Sequence, residues 1–291
     1  MEQIHSTSFN NIALQLDLIE AIRSNSSYMA RLEIDALKEK YRSDPKRLEQ
    51  FGFKVYSQND EDGILHEIFR RLDIKTGSFC EIGVQNGLEC NTLFLIHKGW
   101  RGIWLEGDKQ QEQVIIKKFA TILDNKRLGL SIKYITPLNV NQQILYSCQQ
   151  LNIEPKELDF LSIDIDGMDI YLLDALVYKP KLICIEYNAK FPPPVFKKPA
   201  YNENYAWAGT DYMGSSLYAI SEVANLKGYR LISTNITGTN AFFIRDDLLS
   251  NHFSEDLSLD SLYNPPRYYL SDHYKRDVGH KADFGEYQDL G

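Results

Sequence analysis

The sequence predicts an α/β fold in which five parallel strands are followed by a C-terminal antiparallel hairpin, with helices on both faces of the sheet. Two observations support this prediction. Short, almost wholly apolar runs alternate with helical patterns from residue 78 to residue 186, which is typical of a parallel sheet buried on both faces. The last two strand-like runs, 229–234 and 240–245, are separated by only five residues, which suits a hairpin and not a crossover.

Composition and charge limit the classes of protein to consider. The chain has 291 residues, 43% hydrophobic residues and a formal net charge of −8. We expect no nucleic-acid partner, because phosphate binding needs a basic face. No apolar run approaches the ~20 residues of a membrane helix. The N-terminus lacks a basic region followed by an apolar stretch, so we expect no signal peptide, no membrane span and a cytoplasmic location.

The four cysteines form no C-x-x-C pair, so the sequence indicates neither a zinc site nor a redox motif. Cys80 and Cys184 fall inside apolar, strand-like runs. A free thiol in such a position behaves as a small hydrophobic side chain. We therefore expect these cysteines to be buried and unpaired.

Residues 1–50 are predicted to form an N-terminal helical extension. Apolar residues recur through 12–22 and 32–41, and Asn25-Ser26-Ser27 marks a break between two helices. An extension that packs on the core explains this pattern. A lid, or a homo-oligomer contact made by these helices, is the alternative.

The core is assigned to residues 51–250, and residues 251–291 form a polar and aromatic C-terminal tail. The core opens with Ser57-Gln-Asn-Asp-Glu-Asp-Gly63, which caps a helix over 64–72 or lines a ligand site. Parallel strands are predicted over 78–84, 102–106, 131–136, 158–165 and 182–186. Helices are predicted over 88–97, 110–123, 141–151, 170–178 and 215–226.

The first strand runs directly into a turn that contains two glycines, Glu81-x-Gly83-x-x-x-Gly87. We expect one glycine to allow a sharp turn and the other to let a ligand approach the main chain without meeting a Cβ. A helix beginning at once after this turn would favour a carboxylate or phosphate at its N-terminus. The spacing is not the G-x-G-x-x-G of dinucleotide-binding folds. An acid two residues before the first glycine suits a ligand with an ammonium group.

The second strand ends in Trp104-Leu-Glu106-Gly-Asp108. In dinucleotide folds, an acid about 20 residues past the glycine turn accepts hydrogen bonds from both hydroxyls of a ribose. The acid here lies a little further along the chain. Glu106 is therefore the candidate ribose ligand, and Asp108 is better placed to cap the next helix.

Polar residues end the fourth and fifth strands, where open α/β sheets place their sites, and we expect them to converge. They are Asp164, Asp166, Glu186 and Asn188. Oxygen ligands at this density suit a hard cation such as Mg²⁺, Ca²⁺ or Mn²⁺, so all four are candidate metal ligands. Without a metal, Asp164 or Asp166 would be a general base whose pKa its acidic neighbours raise. A third interpretation makes Asp169 a helix cap and Asp164 an acceptor for loops.

Residues 189–213 form an insert that is longer than most loops in compact domains. Its aromatic side chains combine flat apolar faces with polar tips, which is typical of surfaces that stack on sugars or other rings. These candidate substrate-binding residues are Tyr201, Tyr205, Trp207 and Tyr212. Lys190, Lys197 and Lys198 can meet a phosphate or a carboxylate. The alternative is an ordered cover that its prolines hold in place.

Four segments together resemble the FkbM-like branch of the class I S-adenosylmethionine-dependent methyltransferases. They are Ser57-Gln-x-x-Glu-Asp-Gly63, Phe79-Cys-Glu-Ile-Gly-Val-x-x-Gly87 with Glu89-Cys-Asn91, Gly99-Trp-Arg-Gly-x-Trp-Leu-Glu-Gly107, and Leu161-Ser-Ile-Asp-Ile-Asp-Gly-x-Asp169 with Ile185-Glu-Tyr-Asn188. The resemblance covers about residues 56–246. Asp166-Gly-x-Asp169 departs from it, because FkbM proteins more often have Glu-Gly at this point.

The resemblance implies a sheet in which the seventh strand inserts antiparallel between the fifth and the sixth. It implies S-adenosylmethionine as cofactor, with Glu81, Gly83 and Gly87 at the methionine end, Glu106 at the ribose, and Asp164 also in the cofactor site. It implies O-methylation, often of sugars or secondary-metabolite hydroxyls. The placement of the acids resembles that in catechol O-methyltransferase-like enzymes, whose Mg²⁺ ligands lie at the ends of the same two strands.

The sequence therefore predicts an S-adenosylmethionine-dependent O-methyltransferase acting on a hydroxyl of a small molecule or sugar (a nucleotide sugar, glycan or secondary metabolite). Asp164 or Asp166 would be the base, or a ligand of Mg²⁺ or Mn²⁺. His66 and His97 are alternative bases, but each lies in a helical pattern.

Two other functions remain as alternatives. The first is a non-catalytic binding module with a cofactor fold, which the acid cluster disfavours because buried unpaired acids are costly. The second is a nicotinamide-dependent oxidoreductase, which the missing G-x-G-x-x-G and the terminal hairpin disfavour.

Overall fold

A computed structural model describes residues 2–271, 273 and 283–285, with side chains described from residue 14 onward. Seven strands form one sheet. They are β1 (Ser78–Ile82), β2 (Arg101–Glu106), β3 (Leu128–Ile132), β4 (Phe160–Ile163), β5 (Leu182–Glu186), β6 (Tyr229–Thr234) and β7 (Asn240–Arg245). Their order across the sheet is β3-β2-β1-β4-β5-β7-β6.

The first five strands are parallel to their neighbours, and β7 is antiparallel to both β5 and β6. The predicted sheet is thus confirmed, including the insertion of the last strand between β5 and β6. The hairpin closes through the backbone bond from the Asn235 N–H to the Asn240 carbonyl oxygen (3.0 Å). Five residues between β6 and β7 leave no room for a crossover, so β7 must run back along β6.

Nine α-helices lie in the described part of the chain. They are α1 (Glu2–Tyr41), α2 (Glu61–Arg71), α3 (Leu93–His97), α4 (Glu112–Lys118), α5 (Ala120–Asp124), α6 (Val140–Gln150), α7 (Asp169–Ala175), α8 (Leu217–Leu226) and α9 (Leu259–Leu262). None of them is long and apolar enough to cross a membrane.

Hydrophobic side chains fill both faces of the sheet. Along β1, Phe79 points into one buried cluster, and Cys80 and Ile82 point into the other. Side chains alternate across a strand, so a sheet covered on both sides needs apolar residues at successive positions. β5 meets this requirement with Leu-Ile-Cys-Ile, all fully buried. All four cysteines are buried and free, which confirms the expectation for Cys80 and Cys184.

The structure corrects several predicted boundaries. The break at Asn25-Ser26-Ser27 is wrong, because α1 is continuous through it. The predicted strand over 131–136 begins earlier, at Leu128, where it pairs with Gly102 of β2. The predicted helix over 110–123 is divided at Phe119, whose ring is buried against Trp104. Packing explains the division at Phe119, because its ring is buried against Trp104.

The helix α1 meets the rest of the protein through its second half. Ala30, Ile34 and Leu37 pack with Ile236 of the hairpin and with Leu270. The Tyr41 hydroxyl donates to the Asn264 side-chain oxygen (2.8 Å). Segments before and after the sheet thus cover the β6–β7 turn together. The division of the chain at residues 50 and 250 stays a prediction.

Candidate functional site

A cavity of about 530 Å³ opens at the carboxyl ends of the parallel strands. The chain leaves β1 towards β2 and β3 on one side of the sheet, and β4 and β5 lie on the other. Ligands of open α/β sheets bind in the crevice that forms where the strand order reverses in this way. The volume lies within the range of about 300–1,000 Å³ that small-molecule sites occupy.

The turn after β1 forms part of the cavity wall, but its glycines serve the protein itself. Gly83 has φ +85°, and a Cβ there would come within 1.7 Å of the Asp164 carbonyl oxygen. Gly87 has φ +79°, and its Cβ would come within 2.6 Å of the Trp104 ring. The expected open space for a ligand beside these glycines is therefore filled by β4 and by an aromatic side chain.

The helix expected to begin after Gly87 starts five residues later, at Leu93 of α3. Residues 88–92 form a loop instead, and α3 itself has five residues. The predicted anion site at its N-terminus is therefore not supported, because the free N–H groups at the loop are already used. The N–H groups of Asn91 and Thr92 donate to the Glu81 carboxylate (2.8 and 3.0 Å).

Glu81 lies in β1 at the floor of the cavity, with 1% of its surface exposed. Its carboxylate also accepts a bond from the Thr92 hydroxyl, which in turn accepts one from the indole N–H of Trp104 (2.8 Å). Burial raises the pKa of Glu81 to about 7, although these bonds act in the opposite direction. Glu81 therefore fixes the loop that borders the cavity as well as contributing to its lining.

Glu106 joins the ends of β1 and β2. One carboxylate oxygen accepts from the N–H groups of Val84 and Gln85 (2.9 and 2.7 Å), and the other accepts from Asp108 N–H (2.7 Å). A carboxylate offers about four acceptor positions, so the Asp108-bound oxygen retains one. Glu106 is buried and lines the cavity, so this free acceptor position is available to a bound ligand.

Beyond β4 the chain forms a tight acidic loop. Asp166 has φ +59°, an uncommon conformation for a residue with a side chain. Asp169, at the start of α7, holds the loop by accepting from the N–H groups of Ile165 (2.9 Å) and Gly167 (2.8 Å). The predicted helix cap is wrong, because Asp169 is the first residue of α7 and the N-cap is Met168, which makes no side-chain cap bond. Asp169 instead fixes the loop that carries Asp164 and Asp166 into the cavity.

The structure brings Asp164, Asp166 and Glu186 together. One carboxylate oxygen from each lies within 4.8 Å of the other two. Burial, followed by the Asp169 and Asp166 carboxylates, raises the pKa of Asp164. Burial, followed by Asp164, raises the pKa of Glu186, and burial raises that of Asp166. One Glu186 oxygen is buried without a hydrogen-bond partner.

Asn188, the fourth candidate ligand, holds the insert. Its side-chain N–H₂ group donates to the carbonyl oxygens of Asp211 (2.9 Å) and Met213 (2.7 Å). Its side-chain oxygen accepts from Lys190 N–H (3.1 Å). Both N–H groups of this amide and one acceptor position of its oxygen are thus engaged within the insert, and the residue does not line the cavity.

Two of the four aromatic candidates in the insert reach the cavity, namely Tyr205 and Trp207. The Tyr205 ring covers Gly167, where a Cβ would come within 2.3 Å of it. The other two lie outside the lining: Tyr201 packs on Tyr171 with ring centroids 5.1 Å apart, and Tyr212 lies beside Tyr205 at 6.0 Å.

The insert lysines do not point to an anion-binding role at the cavity. Lys190 forms an ion pair with Asp211, and the Lys198 ammonium lies 4.1 Å from the centre of the Tyr171 ring. The two histidines considered as bases also lie elsewhere. His66 contacts Lys98 (2.7 Å), and His97 stacks on Tyr56 with centroids 5.1 Å apart.

Several residues that line the cavity were not among the predicted site residues, for example Asn91, Tyr134 and Asn240. Asn240 has a signal that sequence reasoning could use, since it opens β7 opposite Glu186 at the end of β5. The polar run that begins at Ser57, predicted to cap a helix or line a ligand site, contributes Gln58 directly. It also contributes Glu61, which bonds to Asn240 from behind (2.9 Å).

The charged residues that line the cavity are all acidic in the part of the chain that the structure describes. They are Glu81, Glu89, Glu106, Asp108, Asp164, Asp166 and Glu186. No lysine, arginine or histidine of the described residues joins them. A cavity with this lining favours cations and uncharged hydrogen-bond donors over anions.

Comparison with known proteins gives structural likeness only. No model of a protein family matches the chain, and no curated protein sequence matches it. Among solved structures, the Bacillus cereus O-methyltransferase in complex with S-adenosylhomocysteine is 14% identical, with a TM-score of 0.37, and the match covers 74% of this chain and 89% of that one.

Two further solved structures are similar to the same extent. The N-terminal domain of EvdMO1 with S-adenosylhomocysteine bound is 12% identical (TM-score 0.42; 74% of this chain and 94% of that one). A SAM-dependent methyltransferase from Aquifex aeolicus is 13% identical (TM-score 0.36; 72% and 95%). At these values the likenesses carry no argument about activity, which has to rest on the cavity itself.

Proposed function

We propose that this protein is an S-adenosylmethionine-dependent methyltransferase of the FkbM-like branch that acts on a hydroxyl of an uncharged small molecule or sugar. One observation carries the proposal. The cavity at the strand-order reversal combines Glu106 at the end of β2 with Asp164 at the end of β4. The sequence resemblance assigns a cofactor role to these same positions.

The cofactor site would use the turn after β1 and the end of β2. Glu106 would accept from the ribose through the acceptor position that its backbone bonds leave free, and Glu81 and Gly83 would border the methionine end. When bound, S-adenosylmethionine supplies an electrophilic methyl group. Gly87 would act indirectly, because it packs against Trp104 and fixes the turn.

Proton removal would fall to the acids after β4. A hydroxyl needs a base within hydrogen-bond reach, and a base is most effective when its pKa lies near the working pH. Burial and neighbouring carboxylates raise the pKa of Asp164 towards that range. Asp166, on the same loop, is the second candidate.

A divalent cation fits the same acids. Their oxygens lie within 4.8 Å of one another, and one Glu186 oxygen lacks a partner. We propose that Asp164, Asp166 and Glu186 hold Mg²⁺ or Mn²⁺, which prefer such oxygen ligands. When bound, the cation would lower the pKa of the acceptor hydroxyl and orient it.

The acidic lining narrows the class of acceptor. None of the charged side chains that the described cavity contains is positive, so a phosphate group on the acceptor would depend on the proposed cation alone. Among the predicted acceptors we therefore favour uncharged glycans or secondary-metabolite hydroxyls over nucleotide sugars. Tyr205 and Trp207 give the wall the flat aromatic surface that stacks on sugar rings.

A ligand panel tests the proposal. Melting temperature and calorimetry would be measured with S-adenosylmethionine, S-adenosylhomocysteine, NAD and NADP. We expect the first two to bind and the nicotinamide cofactors not to. Stabilisation by NAD or NADP alone would contradict the proposal and favour an oxidoreductase. Cofactor binding without methyl transfer to any compound of a hydroxyl library would favour the binding module.

We further propose that α1 joins two copies of the chain. Its exposed face repeats at alternating steps of four and three residues through Leu14, Leu18, Ala21, Asn25, Tyr28 and Leu32, which is heptad spacing. Leu14, Leu18 and Leu32 are 68, 59 and 46% exposed. A single asparagine in such a seam fixes the register of a two-stranded pair, which favours a second copy as the partner.

Light scattering after size exclusion tests this contact. We expect a dimer for the wild type and a monomer for Leu18→Glu. Leu16→Glu is the matched control, because Leu16 is equally exposed (60%) but lies outside the heptad face. A wild-type monomer, or dissociation by both substitutions alike, would contradict the proposed pairing.

A further inference from the structure

The side chain of Asn240 lies at the back of the cavity with one of its two polar atoms unused. Asn240 is 2% exposed and lines the cavity. Its N–H₂ group donates to a Glu61 oxygen (2.9 Å), whereas its side-chain oxygen is buried without a hydrogen-bond partner. Buried acceptors in folded proteins nearly always have a partner, so we expect a bound group to contact this oxygen.

The surrounding network fixes the direction of this amide. An ionised carboxylate accepts hydrogen bonds and donates none. Glu61 accepts from the side-chain nitrogens of Asn240 (2.9 Å), Asn235 (2.7 Å) and Asn59 (3.1 Å). Rotating the Asn240 amide would place its oxygen against the Glu61 oxygen. The Asn240 oxygen is therefore held away from Glu61.

The backbone of Asn240 is held as firmly as its side chain. Its N–H group donates to the Asn235 side-chain oxygen (2.9 Å), and the same oxygen accepts from the Thr239 N–H group (2.9 Å). These bonds join the tip of the hairpin to the start of β7. The position of the unused oxygen thus depends on Asn235 and Glu61, two buried residues outside the cavity lining.

Asn240 is the neighbour of Glu186 across the sheet. The two residues pair directly in the antiparallel register of β5 and β7, so their side chains lie on the same face. Glu186 also has an oxygen that is buried without a hydrogen-bond partner. Asn240 and Glu186 thus each have a buried, unpartnered oxygen and line the same cavity as Asp164 and Asp166, so this part of the lining offers acceptors. No positive side chain of the described residues lines the cavity to neutralise it.

We infer that the Asn240 oxygen is the neutral fourth ligand of a hard divalent cation held by Asp164, Asp166 and Glu186, and that Glu61 is the residue that positions it. This inference rests on the proposed metal-assisted function. It replaces Asn188 as the amide ligand, because the amide of Asn188 is engaged by the insert. A neutral amide oxygen is an ordinary ligand for Mg²⁺, Mn²⁺ or Ca²⁺.

Binding of Mn²⁺ to the full-length protein tests the inference without any acceptor or cofactor. Free Mn²⁺ would be measured by electron paramagnetic resonance during titration. We expect saturable binding to the wild type and a loss of affinity of at least about tenfold in Asn240→Ala, the scale on which metal sites respond to lost supporting groups. Asn188→Ala is the matched control, equally buried at 2% exposure, and should stay within about twofold of the wild type.

A second variant separates ligation from a structural role. Asn240→Asp keeps an oxygen for the cation but cannot donate to Glu61. We expect Asn240→Asp to bind Mn²⁺ more tightly than Asn240→Ala. If Asn240 served only to support Glu61, the aspartate variant would lose at least as much Mn²⁺ affinity as the alanine variant. Glu61→Gln should also weaken Mn²⁺ binding. A glutamine side chain can pair with either end of the Asn240 amide, so the Asn240 oxygen would no longer be fixed towards the cavity.

Mn²⁺ binding tests the metal site, and S-adenosylhomocysteine binding tests the cofactor site separately. Absence of Mn²⁺ binding in the wild type would overturn the inference, as would an unchanged affinity in Asn240→Ala. Equal losses in Asn240→Ala and Asn188→Ala would overturn it as well. Calorimetry with S-adenosylhomocysteine on the same samples reports the cofactor site independently, so a failure of one site does not hide the state of the other.

Discussion

Gly83 and Asp164 touch through their main chains: a Cβ on Gly83 would come within 1.7 Å of the Asp164 carbonyl oxygen. This contact joins the end of β1 to the end of β4, and so joins the proposed cofactor turn to the proposed base. A side chain of any size at position 83 must push the two strand ends apart. The contact therefore sets the geometry of the cavity.

We expect Gly83→Ala to lose both stability and cofactor binding. The alanine must adopt φ +85° and also displace the Asp164 carbonyl. Gly209→Ala is the matched control, because Gly209 has φ +74° but a Cβ there would meet nothing within 4 Å, so only the conformational cost of about 1–2 kcal/mol applies. Chemical denaturation and S-adenosylhomocysteine calorimetry measure both effects. Equal losses in the two variants would show that the close contact is unimportant.

We expect Glu106→Gln to weaken binding of S-adenosylhomocysteine by about tenfold or more, since hydrogen bonds to charged groups contribute about 1.5–3 kcal/mol each. The amide can keep the bonds from Val84 and Gln85 but would turn its N–H₂ group towards Asp108 N–H. Calorimetry measures the affinity.

Asp108→Asn removes the same charge from the same cavity wall and serves as control. Asp108 accepts from the Gln110 N–H group (2.9 Å) and caps the segment after β2, so its loss should leave the affinity nearly unchanged. Equal affinities for all three proteins would exclude Glu106 as the ribose ligand.

The sheet could be predicted from the sequence because its signals are local. Each strand is a short apolar run, and the five-residue link between β6 and β7 dictates an antiparallel pair whatever the rest of the chain does. The meeting of Asp164, Asp166 and Glu186 follows from the same reasoning, since ends of adjacent parallel strands lie at one edge.

Contacts between distant segments could not be predicted in this way. Nothing near Gly87 indicates that Trp104 fills the space beside it, and nothing near Asn240 indicates that Glu61 lies behind it. Likewise, Asn188 has the residue type and strand position of a metal ligand, yet its side-chain amide donates to main-chain carbonyl oxygens of the insert. Residue type and strand position limit where a side chain lies, but its partners depend on tertiary packing.

Asp60 gives the protein a predicted dependence on pH. Both of its carboxylate oxygens are buried without a well-aligned hydrogen bond, although the Asp60 and Ile236 N–H groups lie near enough to lower its pKa slightly. Burial, followed by the Glu61 carboxylate, raises the pKa of Asp60 to about 7, above the ordinary value near 3.9 of an unfolded chain. Between about pH 4 and pH 7 the folded state therefore binds more protons than the unfolded state, and the free energy of unfolding falls as the pH rises.

We expect Asp60→Asn to raise the melting temperature at pH 8 and to change it little at pH 4, near the unfolded pKa. The gain at pH 8 has an upper limit of about 4 kcal/mol, because each pKa unit corresponds to about 1.4 kcal/mol. Asp62→Asn is the matched control. One Asp62 oxygen accepts from the N–H groups of Val55, Tyr56 and Ser57 (2.7, 2.6 and 2.9 Å), and the pKa of Asp62 is raised only to about 6, so this variant should gain less at pH 8 than Asp60→Asn. An Asp60 variant that melts lower at pH 8 would contradict the argument.

Tyr205 is expected to hold the insert over the cavity. Its ring covers Gly167, its hydroxyl donates to the Tyr212 carbonyl oxygen, and its own carbonyl oxygen accepts from the Tyr134 hydroxyl (3.2 Å). The ring contact links the insert to the loop after β4, and removing the Tyr205 side chain should therefore let residues 201–212 open more often, although the backbone bond from Tyr134 stays.

Limited proteolysis with chymotrypsin measures this opening, since cleavage follows the population of the open form when closing is fast. We expect Tyr205→Ala to speed cleavage at Trp207 by about tenfold, which corresponds to about 1.4 kcal/mol of lost closure. Tyr201→Ala is the control, because Tyr201 packs on Tyr171 outside the cavity. S-adenosylhomocysteine should slow cleavage of the wild type if the insert orders on binding. If cleavage is equally slow with and without ligand, and in both variants, the prediction is wrong and the insert is a rigid wall of the cavity.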